Sequence, residues 1–551
     1  MKIRHVPLSA FLFAALAACG GSDDPAPTPS DPGPGPSAAQ SCSDLNGRMI
    51  AKAEIGKPTS GAVVQSATLV KADAEGNANG EYCAVRGIVM PVDPAAPNLE
   101  FQVNLPTAWN KRALQLGGGA FNGSLVTGLG KYPLQPADSK APLAQGYVTL
   151  GSDGGHKSSA GFDASFALNA ESLMNFGQLS IKKTHDVAMA LIKARYGAAP
   201  ERFYFIGASQ GGHEALDAAA RYPDDYDGVV SNYPAYNVTM LHLGSLNAGR
   251  AMYGNGGANW MNAAKVKLLT DAVYAACDPL DGLKDGVISN VAGCDAAFGI
   301  AGVRATLRCA GGGDMGDTCL SDAQIAGVET IASPYKPGVE IAGMTQFERW
   351  PILEGALFNV SSYGTVPQPS NPLSGKEALL YSVGAATTKY IITRDVNFDP
   401  MTLDPKTYET RIKEVGGIMD VSDVDLGPFI QKGGKLIMIH GTADDFITPH
   451  NSIVYWNKLV AGKGQSTVDG FARFYVVPGL GHGFGPFNAT YDALGALTGW
   501  VERGAAPGVL TAIDANPGAA RTRPMCRFPG WPKYKGEGPV GDAASFACVT
   551  E

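Results

Sequence analysis

Gly207-Ala208-Ser209-Gln210-Gly211 follows the apolar run Phe203-Tyr204-Phe205-Ile206 and opens the helix-like segment Gly212-His213-Glu214-Ala215-Leu216. Glycines on both sides of a serine suit a sharp strand-to-helix turn, where a Cβ would collide with neighbouring backbone and the hydroxyl is lifted clear at the sheet's carboxyl edge. Ser209 is therefore the candidate nucleophile. In a chain of 551 residues with 70 glycines, one such pentapeptide is equally readable as a structural turn, so its partners decide.

Two partners stand late in the chain. Lys435-Leu436-Ile437-Met438-Ile439 has the pattern of a buried strand and runs into His440-Gly441-Thr442-Ala443-Asp444-Asp445, which sets an acid in the loop just after it. Phe474-Tyr475-Val476-Val477 runs into Pro478-Gly479-Leu480-Gly481-His482-Gly483, which sets a histidine in a glycine-flexible loop. Asp444 is the candidate acid, with Asp445 its nearest rival, and His482 the candidate general base. A serine hydroxyl is a poor nucleophile until a neutral imidazole takes its proton, and the imidazole needs a carboxylate to fix its tautomer. The order Ser, Asp, His, each at the end of an apolar strand, is the α/β-hydrolase order. A tetrahedral intermediate also needs donors. The backbone N–H of Gln210, just after the nucleophile, and that of Gly119, in the loop Leu116-Gly117-Gly118-Gly119-Ala120-Phe121, are the candidates for the oxyanion hole.

The remaining histidines have plainer readings. His440 and His450 flank the acid loop and suit hydrogen-bonding roles, His213 suits packing or capping on the helix after Ser209, and His185 suits a contact within the amphipathic stretch 181–196. His156 follows the strand-like Tyr147-Val148-Thr149-Leu150 and is read as structural.

The elements that carry these residues lie behind an export segment. Lys2 and Arg4, an apolar stretch from Leu8 to Leu16, and Leu16-Ala17-Ala18-Cys19 have the form of a bacterial lipoprotein signal covering residues 1–18, with Cys19 the lipidated residue. A Pro/Gly-rich linker extends to residue 40. Gly20 rather than Asp after the cysteine favours the outer membrane. No later segment approaches ~20 uninterrupted apolar residues, so the lipid is the sole expected membrane attachment. The other eight cysteines, Cys42, Cys83, Cys277, Cys294, Cys309, Cys319, Cys526 and Cys548, are even in number and suit an oxidising compartment, with the pairing open. A net charge of −8 gives no reason to expect nucleic acid as a partner.

Far more chain separates Ser209 from Asp444 than strand-helix units need. Residues 236–430 lack regular alternation and read as a lid domain inserted into an α/β core made of residues 41–235 and 431–551. Within that insert, Cys277-Asp278-Pro279-Leu280-Asp281-Gly282-Leu283-Lys284-Asp285-Gly286-Val287 spaces three carboxylates among glycines. The Asp278, Asp281 and Asp285 side chains, with the Leu283 and Val287 carbonyls, offer hard oxygen ligands for Ca²⁺; the plainer reading is an aspartate-rich surface turn. No motif calls for an organic cofactor.

These motifs, together with Leu105-Pro106-Thr107-Ala108-Trp109-Asn110 and Arg523-Pro524-Met525-Cys526 through Ala547-Cys548, resemble the tannase/feruloyl esterase family, which includes mono(2-hydroxyethyl) terephthalate hydrolases, almost end to end. The resemblance implies an α/β-hydrolase fold with a large lid, the triad Ser209, Asp444 and His482, structural calcium on the loop above, and disulfides Cys42–Cys83, Cys277–Cys294, Cys309–Cys319 and Cys526–Cys548. It implies hydrolysis of small aromatic esters of feruloyl, galloyl or terephthalate type. One departure stands out: where the family usually bonds a cysteine before the serine to one after the histidine, this chain has Ala208 and Gly483. Lid residues for the acyl group do not align; Trp350, Phe347, Phe358 and Tyr390 are candidates. Competing functions are a short-chain acylesterase or peptidase on the same triad, and a non-catalytic, calcium-stabilised binding lipoprotein.

Overall fold

The computed structural model describes residues 38–158, 162–421 and 425–550; the signal segment and Cys19 lie outside them. Its centre is a ten-stranded sheet: β1 (Met49–Ile50), β2 (Gly61–Val70), β3 (Tyr82–Met90), β4 (Leu99–Pro106), β5 (Arg112–Leu116), β6 (Val148–Ser152), β7 (Arg202–Ala208), β8 (Gly228–Asn232), β9 (Lys435–Gly441) and β10 (Ala472–Val477). The spatial order is β1-β2-β3-β4-β6-β5-β7-β8-β9-β10. The first four strands and the β4–β6 pair are antiparallel, and every pair from β6 through β10 is parallel. This is an α/β-hydrolase sheet with an antiparallel extension at its N-terminal edge.

The parallel strands are covered on both faces, so they are apolar throughout rather than alternating. All of β7 after Arg202 and all of β9 after Lys435 is buried. Helix α1 (Ser180–Tyr196) packs on β4 and β6, and α2 (Gln210–Arg221), which begins directly after β7, packs on β7 and β8. Because β7, β8, β9 and β10 run the same way, the residues after them emerge along one edge.

Strands β8 and β9 pair directly, Gly228 opposite Lys435 and Asn232 opposite Ile439, yet residues 233–434 intervene. That insertion holds helices and, among its described residues, isolated bridges but no extended strand; α3 (Val238–Met252) and α4 (Leu379–Ala386) pack against each other within it. After it, α5 (Pro449–Lys463), capped by the Thr448 side chain, and α6 (Ala493–Arg503) complete the layers. The four disulfides are those the resemblance implies, Cys42–Cys83, Cys277–Cys294, Cys309–Cys319 and Cys526–Cys548. They mark a chain exported to an oxidising compartment. No described helix is long and apolar enough to cross a membrane.

The loops after β9 and β10 are zipped together: Ala443 N–H donates to the Leu480 carbonyl at 2.9 Å, and Gly479 N–H to Thr442 Oγ1 at 3.1 Å. A Cβ on Gly441 would stand 1.9 Å from the Leu480 carbonyl oxygen, so that approach admits glycine alone. Gly441→Ala should therefore lower stability by more than ~2 kcal/mol. By contrast, Gly462→Ala, on an exposed turn of α5 with open space around it, should raise it by up to ~1 kcal/mol. Denaturant midpoints moving in opposite directions are the expected result; similar midpoints for both variants would contradict this packing.

Candidate active site

Ser209 joins β7 to α2 with φ +60° and ψ −121°, a region that costs a non-glycine residue about 1–3 kcal/mol and persists only when its surroundings enforce it. The enforcement is visible. Ser209 N–H donates to the Asn232 carbonyl at the end of β8 (3.0 Å), and Gly211 N–H to the Gly118 carbonyl (3.1 Å). A Cβ on Gly207 would lie 2.1 Å from the Gly211 carbonyl oxygen, and one on Gly117 would lie 2.6 Å from Gly211 Cα. The elbow and the glycine loop therefore touch backbone to backbone, which is why both sequences are rich in glycine.

The structure joins the predicted acid and base. His482 Nδ1 lies 3.0 Å from Asp444 Oδ2, while Asp444 Oδ1 accepts the N–H groups of Phe446 (2.9 Å) and Ile447 (2.8 Å). Asp444 is fully buried. Burial alone would raise its pKa, but His482 and His440 overcome it and hold the carboxyl well below the usual range. A carboxylate only accepts, so His482 Nδ1 carries the hydrogen and Nε2 is left to take a proton. His440 is a second support: its Nε2 lies 2.9 Å from the Ile447 carbonyl and 3.4 Å from Asp444 Oδ2, and its Nδ1 lies 2.8 Å from Ser452 Oγ. The rival Asp445 is bonded by the Ser362 hydroxyl instead and is pushed up to about 6, by burial first and the charge of Asp444 next.

His213, His450, His185 and His156 have these neighbours. His213 lies 3.4 Å from the Ala235 carbonyl and His450 2.8 Å from Glu354; His185 pairs with Asp186 at 2.9 Å; His156 stacks on Phe166 with centroids 3.7 Å apart.

Where the family's paired cysteines would stand, Ala208 is buried and Gly483 has φ +82°. A Cβ on Gly483 would lie 3.3 Å from the Tyr233 hydroxyl. Tyr233, at φ +34° just after β8, sets its ring 4.8 Å from that of His482, and Phe446 adds an edge contact at 5.1 Å. Aromatic packing from Tyr233 and Phe446 braces the histidine.

Of the oxyanion candidates, the Gln210 N–H opens α2 and so has no carbonyl a turn earlier within the helix. In the glycine loop, Gly118 N–H is taken by Glu214 Oε2 at 2.9 Å, which leaves Gly119 and, beside the cleft, Ala120. Glu214, one turn past Ser209, is 5% exposed, and its other oxygen accepts from Asn122 Nδ2 at 2.7 Å. Burial pushes this carboxyl up while the two amides pull it back. Its sequence neighbours gave no sign of that role, because the glycine loop it anchors is remote in the chain.

The narrow cleft over Ser209 is walled by Phe121, Phe162 and Phe446 with Leu241, His242 and Val383 from the insertion. None of the aromatic residues proposed from the sequence lines it. Trp350, Phe347 and Phe358 are buried in the insertion's core, and Tyr390 packs against that core.

In the aspartate loop, Asp278 accepts the Gly286 N–H (3.1 Å), Asp281 those of Leu283 (3.1 Å) and Ser289 (3.2 Å), and Asp285 that of Val287 (3.1 Å) while also pairing with Arg523. Asp278 and Asp281 are buried with, among the described residues, no cationic side chain bonded to either, and burial followed by the charge of Asp285 raises the Asp281 carboxyl. The hard oxygens of Asp278 and Asp281 suit Ca²⁺ in their chemistry, whereas Asp285 is already paired with Arg523. Among the described residues the three loop carboxylates do not bring ligand atoms together; the one group of three that does so, within 4.8 Å, is His185, Asp186 and Asp225, and there Lys182 already supplies the cation, at 2.6 Å from Asp186 and 3.0 Å from Asp225.

Glu214→Gln would set an amide donor against one of two existing donors, Gly118 N–H or Asn122 Nδ2. Turnover should fall about 10–100-fold with KM little changed and the circular dichroism spectrum intact. An unchanged kcat would show that Glu214 does not position the loop.

Comparison with known proteins agrees with this geometry. Residues 83–549 match the family model described as tannase and feruloyl esterase. The chain is 37% identical to an uncharacterized esterase of Agrobacterium fabrum, over 95% of this chain and 96% of that protein. It is 30% identical to the mono(2-hydroxyethyl) terephthalate hydrolase of Piscinibacter sakaiensis, over 93% and 91%. The crystal structure of feruloyl esterase B from Aspergillus oryzae shares the fold, with a TM-score of 0.75 at 23% identity, covering 93% of this chain and all of that one. This carboxylic ester hydrolase belongs to the tannase and feruloyl esterase family.

Proposed function

We propose that the protein hydrolyses esters of aromatic carboxylic acids through an acyl-enzyme on Ser209. The observation that carries the reading is the hydrogen bond between His482 and the buried, anionic Asp444, on the sheet edge where the Ser209 elbow emerges. His482 Nε2 takes the Ser209 proton as Oγ attacks the ester carbonyl, and the oxygen that becomes negative is met by the Gln210 and Gly119 N–H groups. Collapse breaks the ester bond, His482 returns the proton to the departing alcohol, and water repeats the sequence to release the acid. The acyl group lies among the cleft phenylalanines, with residues 236–430 acting as the lid.

Ca²⁺ is structural in this reading, held by Asp278, Asp281 and Asp285 with the Leu283 and Val287 carbonyls, and it takes no part in the chemistry. Cys19 carries the lipid that ties the exported chain to the outer membrane.

Ser209→Ala, His482→Ala and Asp444→Asn should each lower kcat on an aryl ester by roughly 10³-fold or more, because triad members act as a unit, while Asp445→Asn stays within about tenfold of wild type. Loss of activity in Asp445→Asn with Asp444→Asn near wild type would reverse the acid assignment. For calcium, the melting temperature should fall in chelator, recover on adding the ion, and lose that dependence in Asp281→Asn, since a ligand held only by the folded state stabilises it by mass action. Identical melting with and without chelator, and no metal by elemental analysis, would remove the ion from the account.

A further inference from the structure

We propose that a second cavity, backing onto the loops that lead to Asp444 and His482, binds an uncharged saccharide ring. The inference does not depend on Ser209 being the nucleophile.

The cavity holds about 420 Å³, within the ~300–1,000 Å³ usual for small-ligand pockets, and among the described residues it shares no wall residue with the cleft over Ser209. Segments distant in sequence meet there: the insertion, the turn after β9 with the start of α5, the end of β10, and the C-terminal segment. Asp295 and Pro529 are exposed at its rim, so it opens to solvent.

Much of the apolar wall is aromatic. Trp531, on the strand Trp531–Tyr534, and Phe528 both line the cavity, and each is only partly buried. Phe528 also packs on Phe474, with ring centroids 5.4 Å apart. Exposed aromatic faces of this kind suit the flat array of C–H groups on one side of a pyranose ring.

The polar wall decides the charge of the ligand. Glu354 is 3% exposed; it accepts from Arg349 Nε at 2.6 Å, and its other oxygen lies 2.8 Å from His450 Nε2. Burial raises this carboxyl, but His450 and Arg349 bring it below its ordinary range, so it is a carboxylate and only accepts. His450 Nε2 therefore carries a hydrogen, which leaves Nδ1 of the neutral ring as an acceptor. Arg349 Nη2 also donates to Asp295 at 3.1 Å. The guanidinium is thus spent on two carboxylates, and no other lysine or arginine is among the described residues of the wall, so an anion entering here would meet no free countercharge. A cation fares little better, because both Glu354 oxygens are engaged and the Asp295 side chain is 54% exposed.

The hydrogen-bonding positions that remain are of both kinds. Arg349 Nη1, the Trp531 indole N–H and the Thr442 hydroxyl offer donors, while His450 Nδ1 and Asp295 Oδ1 offer acceptors. A ring hydroxyl donates and accepts at once. A neutral ring with one apolar face and several hydroxyls is therefore the chemistry that matches both walls.

The test is calorimetric titration of the purified protein with cellobiose, maltose and xylobiose, and with benzoate as the anionic control. At least one disaccharide should bind saturably and benzoate should not. Trp531→Ala should weaken that binding at least about tenfold, since it removes the stacking surface. Asp295→Ala should weaken it about 3–10-fold, the worth of one net hydrogen bond, and because its side chain stands at the exposed rim it carries the test if circular dichroism shows that the Trp531 variant does not fold. Absence of saturable binding by all three sugars, benzoate binding as tightly as the best of them, or affinity unmoved in the folded variants overturns the proposal.

Discussion

The Asp444 carboxylate is the constraint on which the site depends. It is completely buried, which by itself raises its pKa, yet one oxygen takes two backbone N–H groups and the other faces two imidazoles. Each of those partners is fixed by something else. Phe446 and Ile447 are placed by the turn after β9, His440 by Ser452 and the Ile447 carbonyl, and His482 by a loop zipped to the same turn. Removing the carboxylate would leave two rings and two amides competing for nothing, whereas keeping it anionic fixes the His482 tautomer that a serine nucleophile requires.

A second constraint is the contact of bare backbone between the Ser209 elbow and the glycine loop. It brings the donor loop against the nucleophile, and the buried Glu214 holds it there through Gly118 and Asn122. The histidine side is secured differently. The Tyr233 ring packs against His482, and its hydroxyl stands beside Gly483, while Tyr233 itself holds an unfavourable φ.

The parallel strands and the residues at their ends were legible because both announce themselves locally: β7, β9 and β10 are short apolar runs, and Ser209, Asp444 and His482 sit in glycine-rich turns immediately after them. The disulfide partners came from family resemblance, not from spacing. What remained hidden depends on contacts between distant segments. Glu214 looks like any helix glutamate until Gly118 meets it, and His242 looks like a residue of an apolar helix until Thr387 and Phe121 do. The aromatics Trp350, Phe347 and Phe358 attracted attention by type alone, and burial within the insertion explains them.

Placing the insertion between two directly paired strands lets α3 and α4 supply part of the cleft wall, so that wall can vary without disturbing the parallel strands. The central claim is that Ser209 becomes covalently acylated. Rapid acid quenching during turnover of an aromatic ester, followed by mass spectrometry of the digested protein, measures this directly. The account predicts a mass increase equal to the acyl group on the peptide containing Ser209, absent in His482→Ala. Steady turnover with that peptide unmodified, or the acyl group on another residue, would contradict it.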